Sequence, residues 1–311
     1  MNEYDVIIIG AGPAGLSAAI YTIRRELKTL VLSEDIGGQV SKTFVVENYP
    51  GIRSISGPDL GQKFSDHAKD FGVEIKLEKV DKIVPKGKKF IIKTDGGEYI
   101  SKSIILAFGK EPRNLNVAGE DKFMGKGISH CAICDGPLFR NKTVAVVGGA
   151  NSAVTSALQL SDMAKKVYLI NRDDKLDAYE YLINYLNEKK NVEIVHNKTV
   201  EKFVGDKMLH AIKIKDVKTK KIKELAVDGV FEEVGYVVNP KIVKGLVKLD
   251  EHNHIVITNK CETYFPDGKR IRPGIYAAGD VTPTLFNQIV IAAGQGAIAG
   301  LQVYNYLKGI D

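Results

Sequence analysis

Cys131 and Cys134 are separated by two residues in a chain whose only other cysteine is Cys261. Two thiols at that spacing can close a small disulfide ring, and one of them near a helix start has its thiolate favoured by the helix dipole, which prepares it to attack another disulfide. The competing reading is a zinc knuckle. Zinc needs about four ligands, and besides the pair the chain offers only Cys261 and six scattered histidines. His130 reads as a satisfied neighbour of the pair rather than a ligand, and Cys261, alone in a strand-like stretch, as a buried apolar residue rather than a reactive thiol. Three cysteines exclude a secreted disulfide framework.

A second chemistry is phosphate binding. Gly10, Ala11, Gly12, Pro13, Ala14 and Gly15 follow an apolar run from Tyr4 to Ile9. In such a motif the glycines serve a tight turn, close backbone approach to a pyrophosphate, and helix-to-strand packing, with the phosphate at the positive end of the following helix. A helix over 14–25 and a strand over 29–32 complete the unit, and Glu34 is spaced to accept a ribose hydroxyl. Alone the glycines would fit a bland tight turn; with these flanks they specify a dinucleotide. Near the end of the chain, a strand over 274–278 runs into Gly279 and Asp280. These could form an ordinary turn, or meet the ribityl and phosphate region of a long extended ligand, which favours FAD over NAD.

The strand–glycine–helix pattern returns with Thr143 to Val147, Gly148 and Gly149, a helix over 153–160 and a strand over 166–170. Between the two units, 73–77, 89–94 and 99–107 read as an antiparallel insert. After the second, 192–195, 202–204, 211–214 and 223–227 read as another. Residues 288–307 form a long small-residue helix expected to pack on the first domain. Turn chemistry at 112–116 and 236–240 marks the boundaries. The predicted fold is α/β and three-layered, with two Rossmann-like dinucleotide-binding domains, the second inserted into the first. Residues 1–113 and 241–311 form the FAD-binding domain, and 114–240 an NAD(P)-binding-like domain carrying the cysteine pair.

Composition sets the remaining limits. A chain of 311 residues, 44% hydrophobic and 26% charged, has the balance of a folded two-domain protein and not of a disordered or fibrous one. The net charge of +6 comes from dispersed lysines, without the one-sided basic face and interleaved aromatics of a nucleic-acid binder. No secretory signal opens the chain, and the longest apolar stretch, 289–301, is short of the ~20 residues a bilayer requires. A cytoplasmic protein without a membrane span is expected.

The segment from Gly127 to Gly136, which holds Cys131, Cys134 and Asp135, resembles the redox segment of low-molecular-weight thioredoxin reductases nearly residue for residue. The first glycine motif, Gly37 to Gln39, and Tyr276 to Val281 resemble the same family of FAD-dependent pyridine nucleotide-disulfide oxidoreductases. The resemblance implies FAD held by Gly10, Gly12, Pro13, Ala14, Gly15, Glu34, Gly38, Gln39, Asn48, Ile83, Gly109, Gly279, Asp280, Val281, Gln288 and Ile289. It makes Cys134 the sulfur facing the flavin, Cys131 the exposed sulfur that exchanges with substrate, and Asp135 the acid or base. It also implies a homodimer and a thioredoxin or thioredoxin-like partner. The rivals are a reductase for a peroxiredoxin or glutaredoxin-like protein, and a non-enzymatic redox sensor. Because a pair stacked on flavin cannot also reach a bulky partner, the domains are expected to rotate about linkers near Asn114 and Gly235.

The resemblance fails at the pyridine nucleotide site. Ala150 stands where the family has a glycine, and a methyl group there crowds the pyrophosphate. After the next strand only Arg172 matches the family's arginines, while Asp173 and Asp177 occupy the other positions and would repel a 2'-phosphate. This argues against NADPH. Asp173 could instead accept a ribose hydroxyl and admit NADH, or electrons could enter from ferredoxin or a reduced deazaflavin, donors known among variants of the family.

Overall fold

The computed structural model describes residues 3–43 and 45–310. The chain divides into two compact units, Met1–Glu111 with Val237–Asp311, and Pro112–Tyr236. The crossing segments, Glu111–Pro112 and Tyr236–Val237, pair as a short two-stranded sheet.

The first unit is built on a parallel sheet whose strands run in the order Ile271–Ala277, Glu98–Leu106, Glu3–Ala11, Thr29–Ile36, Glu74–Leu77. Its central strand is apolar on both sides because both faces are covered. Ile7 and Ile9 join one core cluster and Val6 and Ile8 the other. Against the second face lie two helices, Pro13–Ile23 and Ile289–Lys308. They approach closely through small residues: a Cβ on Gly296 would collide with the carbonyl of Ala14, and one on Gly300 would sit 2.9 Å from that of Ala18. The long C-terminal helix thus packs on the first domain, as expected from its composition. On the other face, Val80–Lys86 and Lys89–Thr94 form an antiparallel hairpin that continues onto the first half of Glu98–Leu106.

The second unit repeats the plan. Five parallel strands run in the order Ile128–Ser129, Gly229–Glu232, Thr143–Val147, Lys166–Ile170, Val192–Val195. Helices Asn151–Ser161 and Glu180–Asn187 accompany this sheet, and Lys198–Gly205, Leu209–Asp216 and Ile222–Ala226 form a separate antiparallel sheet. Two three-layer α/β units, the second interrupting the first, match the fold expected from sequence.

Two strands differ from expectation in role. Glu74–Leu77, read as part of the antiparallel insert, is the parallel edge strand beside Thr29–Ile36. Val192–Val195 likewise closes the second parallel sheet instead of joining the insert. Both are short and only partly buried, so their alternating patterns resemble those of a half-solvated antiparallel strand. The strand Val80–Lys86 is an additional element. Residues 264–272 form a hairpin loop, with the Phe265 amide bonded to Arg270 O and the Gly268 amide to Phe265 O.

The helix contact yields a test. Gly296→Val should overpack the interface with Ala14 and cost about 1–3 kcal/mol. Chemical denaturation should show a lower midpoint with an unchanged slope; an unchanged midpoint would mean that the close approach is not required.

Candidate functional site

The first glycine turn is shaped by contacts that exclude side chains. Gly10 has φ +110°, and a Cβ there would strike the carbonyl of Ala107. Gly15 lies so close to the Gly10 carbonyl that no Cβ fits. Gly12 is the N-cap of helix Pro13–Ile23 and supplies no side-chain cap. A helix of this length therefore begins with amide donors free for an anion, next to a residue that a ligand can approach closely.

Around this turn the carboxyl ends of the parallel strands collect the other candidate residues. Glu34, near the end of Thr29–Ile36, is exposed and paired with Lys79 at 3.1 Å. Gly38 and Gln39 open a short 3₁₀ turn at Gly38–Lys42. Gln39 donates to Lys110 O at 3.0 Å, and its own Oε1 is buried without a partner. Gly109 has φ +68° and open space about its Cα. Gly279, φ +79°, lies against Ala14, with its amide bonded to Gln295 Oε1 at 2.8 Å. Val281 is buried beside it.

Asp280 has no hydrogen-bond partner among the described residues, and burial raises its carboxyl pKa despite the nearby Lys110 and His254 charges. Asn48 donates to Gln288 Oε1 at 3.0 Å, at the cap of helix Ile289–Lys308, which begins at Ile289. Ile83 differs from the rest: its side chain is 6% exposed and belongs to the hydrophobic core, so only its backbone is available to a ligand. An uncapped helix start, a glycine cradle, an orphaned amide oxygen and a half-buried carboxyl at successive strand ends fit an extended dinucleotide such as FAD.

In the second unit Cys131 and Cys134 are joined by a disulfide, with their Cα atoms 5.3 Å apart. Cys131 caps the single-turn helix Ala132–Asp135, and the Cys134 amide donates to Cys131 Sγ at 3.2 Å. One turn carries little macrodipole, so this local N–H is the contact that favours negative charge on Cys131. Cys134 is exposed while Cys131 and Asp135 are half-buried, the reverse of the sulfur exposures that the resemblance implies. Cys261 is buried, donates to Gln295 O at 3.5 Å, and has its thiol pKa pushed up to about 11 by burial.

The second glycine turn is engaged by the protein's own chain. The Asp177 amide donates to Gly149 O at 2.8 Å, Ala150 and Asp177 form a β-bridge, and the Tyr179 amide donates to Asn151 Oδ1 at 2.8 Å. Asn171 is buried over Gly149, its amide bonded to Asp173 O and Lys175 O. The one arginine that matches the family, Arg172, is paired with Asp173 at 3.3 Å.

Two acids escaped the sequence reading. Glu232 and Glu233 end strand Gly229–Glu232 and the residue after it, where an apolar strand hides them among its neighbours. Glu233 accepts from Ser156 Oγ at 2.7 Å, and burial raises its pKa. Glu232 lies beside His130, with Nδ1 of the ring 3.3 Å from Glu232 O. The signal available in sequence was two adjacent acids in a run otherwise fit for a buried parallel strand.

Comparison with known proteins agrees with this geometry. The family model for pyridine nucleotide-disulphide oxidoreductases matches residues 4–296. A thioredoxin reductase of Listeria innocua is 41% identical over 308 residues, covering 98% of this chain and 94% of that protein. The crystal structure of Lactococcus lactis thioredoxin reductase superposes with a TM-score of 0.91 at 37% identity, covering 98% of this chain and 99% of that one. A ferredoxin-flavin thioredoxin reductase from Clostridium acetobutylicum gives a TM-score of 0.54 at 33% identity, with 99% of each chain covered. From the cysteine segment, the glycine cradle and these matches, the chain belongs to the pyridine nucleotide-disulphide oxidoreductases, within the low-molecular-weight thioredoxin reductase family.

Proposed function

We propose that this chain reduces the disulfide of thioredoxin or a thioredoxin-like protein through Cys131 and Cys134, drawing electrons from a donor other than NADPH. The observation that carries the reading is the disulfide itself, closed at the start of a one-turn helix with a backbone amide aimed at Cys131 Sγ. Bound FAD supplies a carrier that takes two electrons from the donor and delivers them to this disulfide.

The residues of the chain do the rest. The amides following Gly12 hold the pyrophosphate, Glu34 accepts from a ribose hydroxyl, and Asp280 and Gln39 meet the polar chain of the cofactor. Exposed Cys134 takes the flavin-facing role. Reduction by two electrons and one proton leaves Cys134 as a thiol and Cys131 as a thiolate, with Asp135 managing the proton. Cys131 then attacks the partner's disulfide, and Cys134 resolves the mixed disulfide, releasing the reduced partner and restoring the Cys131–Cys134 bond. Serving both flavin and a bulky partner requires motion, which we assign to the connections near Asn114 and Gly235; Gly235 has φ +97° and open space around it. The working form would be a homodimer.

The second glycine turn supports a donor other than NADPH. Its carbonyl and the start of the adjoining helix are bonded to residues 177–179, and Arg172 is held by Asp173. A nucleotide carrying a 2'-phosphate would have to displace these bonds and meet Asp173 and Asp177. Ferredoxin, named in the Clostridium relative, and a reduced deazaflavin both avoid that site.

Two measurements test the reading. Anaerobic mixing of the oxidised flavoprotein with NADPH, NADH, reduced ferredoxin or reduced deazaflavin should bleach the flavin rapidly with one of the last two and slowly with NADPH; rapid bleaching by NADPH would overturn the donor assignment. Cys131→Ser and Cys134→Ser should each abolish reduction of thioredoxin, by at least about 10³-fold on the scale of removing a covalent catalytic group. Flavin reduction by the donor should persist in both. Retained thioredoxin reduction in either variant would sink the role of the pair.

A further inference from the structure

The second unit lays three helical segments side by side on one face of its parallel sheet. Ala132 of the redox turn, Ala153, Ala157 and Leu160 of helix Asn151–Ser161, and Leu186 of helix Glu180–Asn187 share one core cluster with strand residues such as Val144 and Phe231. Helix Asn151–Ser161 packs against both of the others and so lies between them. The antiparallel sheet covers the opposite face, where Ala145 and Val230 join Phe203 and Ile212. Cys131 opens the first segment and Tyr179 the third. The two therefore stand on one layer, two helix spacings or about 16–20 Å apart.

The far end of that layer carries a group of rings that the redox reading leaves without a task. Leu182 and Leu186 turn helix Glu180–Asn187 toward the core. This leaves Tyr181 and Tyr185, four residues apart, on the outer side, with Tyr179 just before them. The three tyrosines are 54%, 56% and 57% exposed. The rings of Tyr179 and Tyr181 lie nearly parallel, their planes 14° apart and their centroids 6.0 Å apart, and Tyr181 meets Tyr185 edge-on at 6.4 Å. The Tyr179 amide donates to Asn151 Oδ1 at 2.8 Å, which fastens this ladder to the middle helix. Rings that brace one another lose little freedom when a partner covers them.

Between the ladder and the cysteine pair the layer is uncharged. Helix Asn151–Ser161 reads NSAVTSALQLS, without one acidic or basic side chain, in a chain that is 26% charged. Its outward residues are exposed Ser152 and half-buried Thr155 and Leu158. Absence of charge beside exposed tyrosine is the composition of the centre of a protein interface, not of ordinary surface. The extent agrees. Three helical segments side by side span about 30 Å, and eleven residues of helix about 16 Å, which gives a face of roughly 500 Å². One side of a transient redox encounter needs up to about 600 Å². A nucleotide suits the ladder less well, because Asp173, Asp174 and Asp177 precede it and would meet the phosphates.

We propose that the ladder Tyr179, Tyr181 and Tyr185 is a docking surface for the thioredoxin-like protein that the cysteine pair reduces. The partner seats an uncharged, apolar face across helix Asn151–Ser161 while its own disulfide lies at Cys131. The inference rests on the proposed exchange at that sulfur. A protein of about 100 residues has a radius of gyration near 13 Å and is wide enough to reach both places at once. The ladder takes no part in the chemistry. It adds affinity and orientation, because a partner held at two separated points does not pivot about the mixed disulfide.

The test separates docking from chemistry. Tyr179, Tyr181 and Tyr185 are replaced together by Ser in the FAD-loaded protein. The sample is reduced with dithionite, freed of excess reductant without oxygen, and mixed with oxidised thioredoxin from the same organism at a series of concentrations. Parallel samples receive dithiobis-nitrobenzoate, a disulfide too small to reach the ladder from Cys131. In the Ser variant the thioredoxin concentration for half-maximal rate should rise about tenfold, while the limiting rate and the rate with the small disulfide stay within about twofold. The triple Tyr→Phe variant, which keeps the rings, should behave as the native protein. A benzophenone amino acid in place of Tyr181 should photo-crosslink to thioredoxin. Because the three residues are exposed, the Ser variant should melt within about two degrees of the native protein. An unchanged half-maximal concentration, equal losses with both disulfides, or a loss confined to flavin reduction by ferredoxin would each overturn the proposal while leaving the redox role of the pair intact. If the reduced native protein passes electrons to the small disulfide and none to thioredoxin, the assignment of the partner falls with it.

Discussion

A parallel sheet covered on both faces has nowhere to keep polar chemistry except at its ends. In both units of this chain the strand interiors are predominantly apolar, and side chains able to bind or react gather where the strands stop. Gly10 turns off one strand, Glu34 lies near the end of the next, Gly109 follows a third and Gly279 a fourth. The second unit obeys the same rule. His130 and Cys131 follow one strand, Gly148 another, Asn171 a third, and Glu232 closes a fourth. Sites separated widely in sequence are thereby collected at the strand ends.

The two units share one plan and differ in how their glycine turns are bonded. At the first glycine turn the helix start has no side-chain cap and Gln39 Oε1 is buried without a hydrogen-bond partner among the described residues, so the fold retains groups that a cofactor can satisfy. At the second, Gly149 O and Asn151 Oδ1 accept from the backbone amides of Asp177 and Tyr179.

Much of this was legible in the sequence, because glycines that exclude a Cβ leave little conformational choice. Gly10 and Gly15 announce a turn whose geometry the structure contains, and the Cys131 to Asp135 segment announces its chemistry by spacing. The edge strands Glu74–Leu77 and Val192–Val195 were misassigned because their partial solvation mimics an antiparallel pattern. Ala150 was visible as a departure, but the bonds from Asp177 and Tyr179 that engage the turn are backbone donations that no residue type reveals. Glu232 was hidden for the converse reason: acids are rarely fully buried, so one inside a strand gives no sign of its surroundings until the packing is known.

The buried position of Cys261 has a consequence for fidelity. A chain that cycles a disulfide while holding a third thiol risks trapping itself in a wrong internal pairing. Cys261 escapes this by being 2% exposed, with its proton retained to about pH 11. Exchange requires a thiolate that can reach a sulfur, and Cys261 offers neither the charge nor the access. The redox cycle is thereby confined to a single pair, and each oxidation returns the chain to the same covalent state.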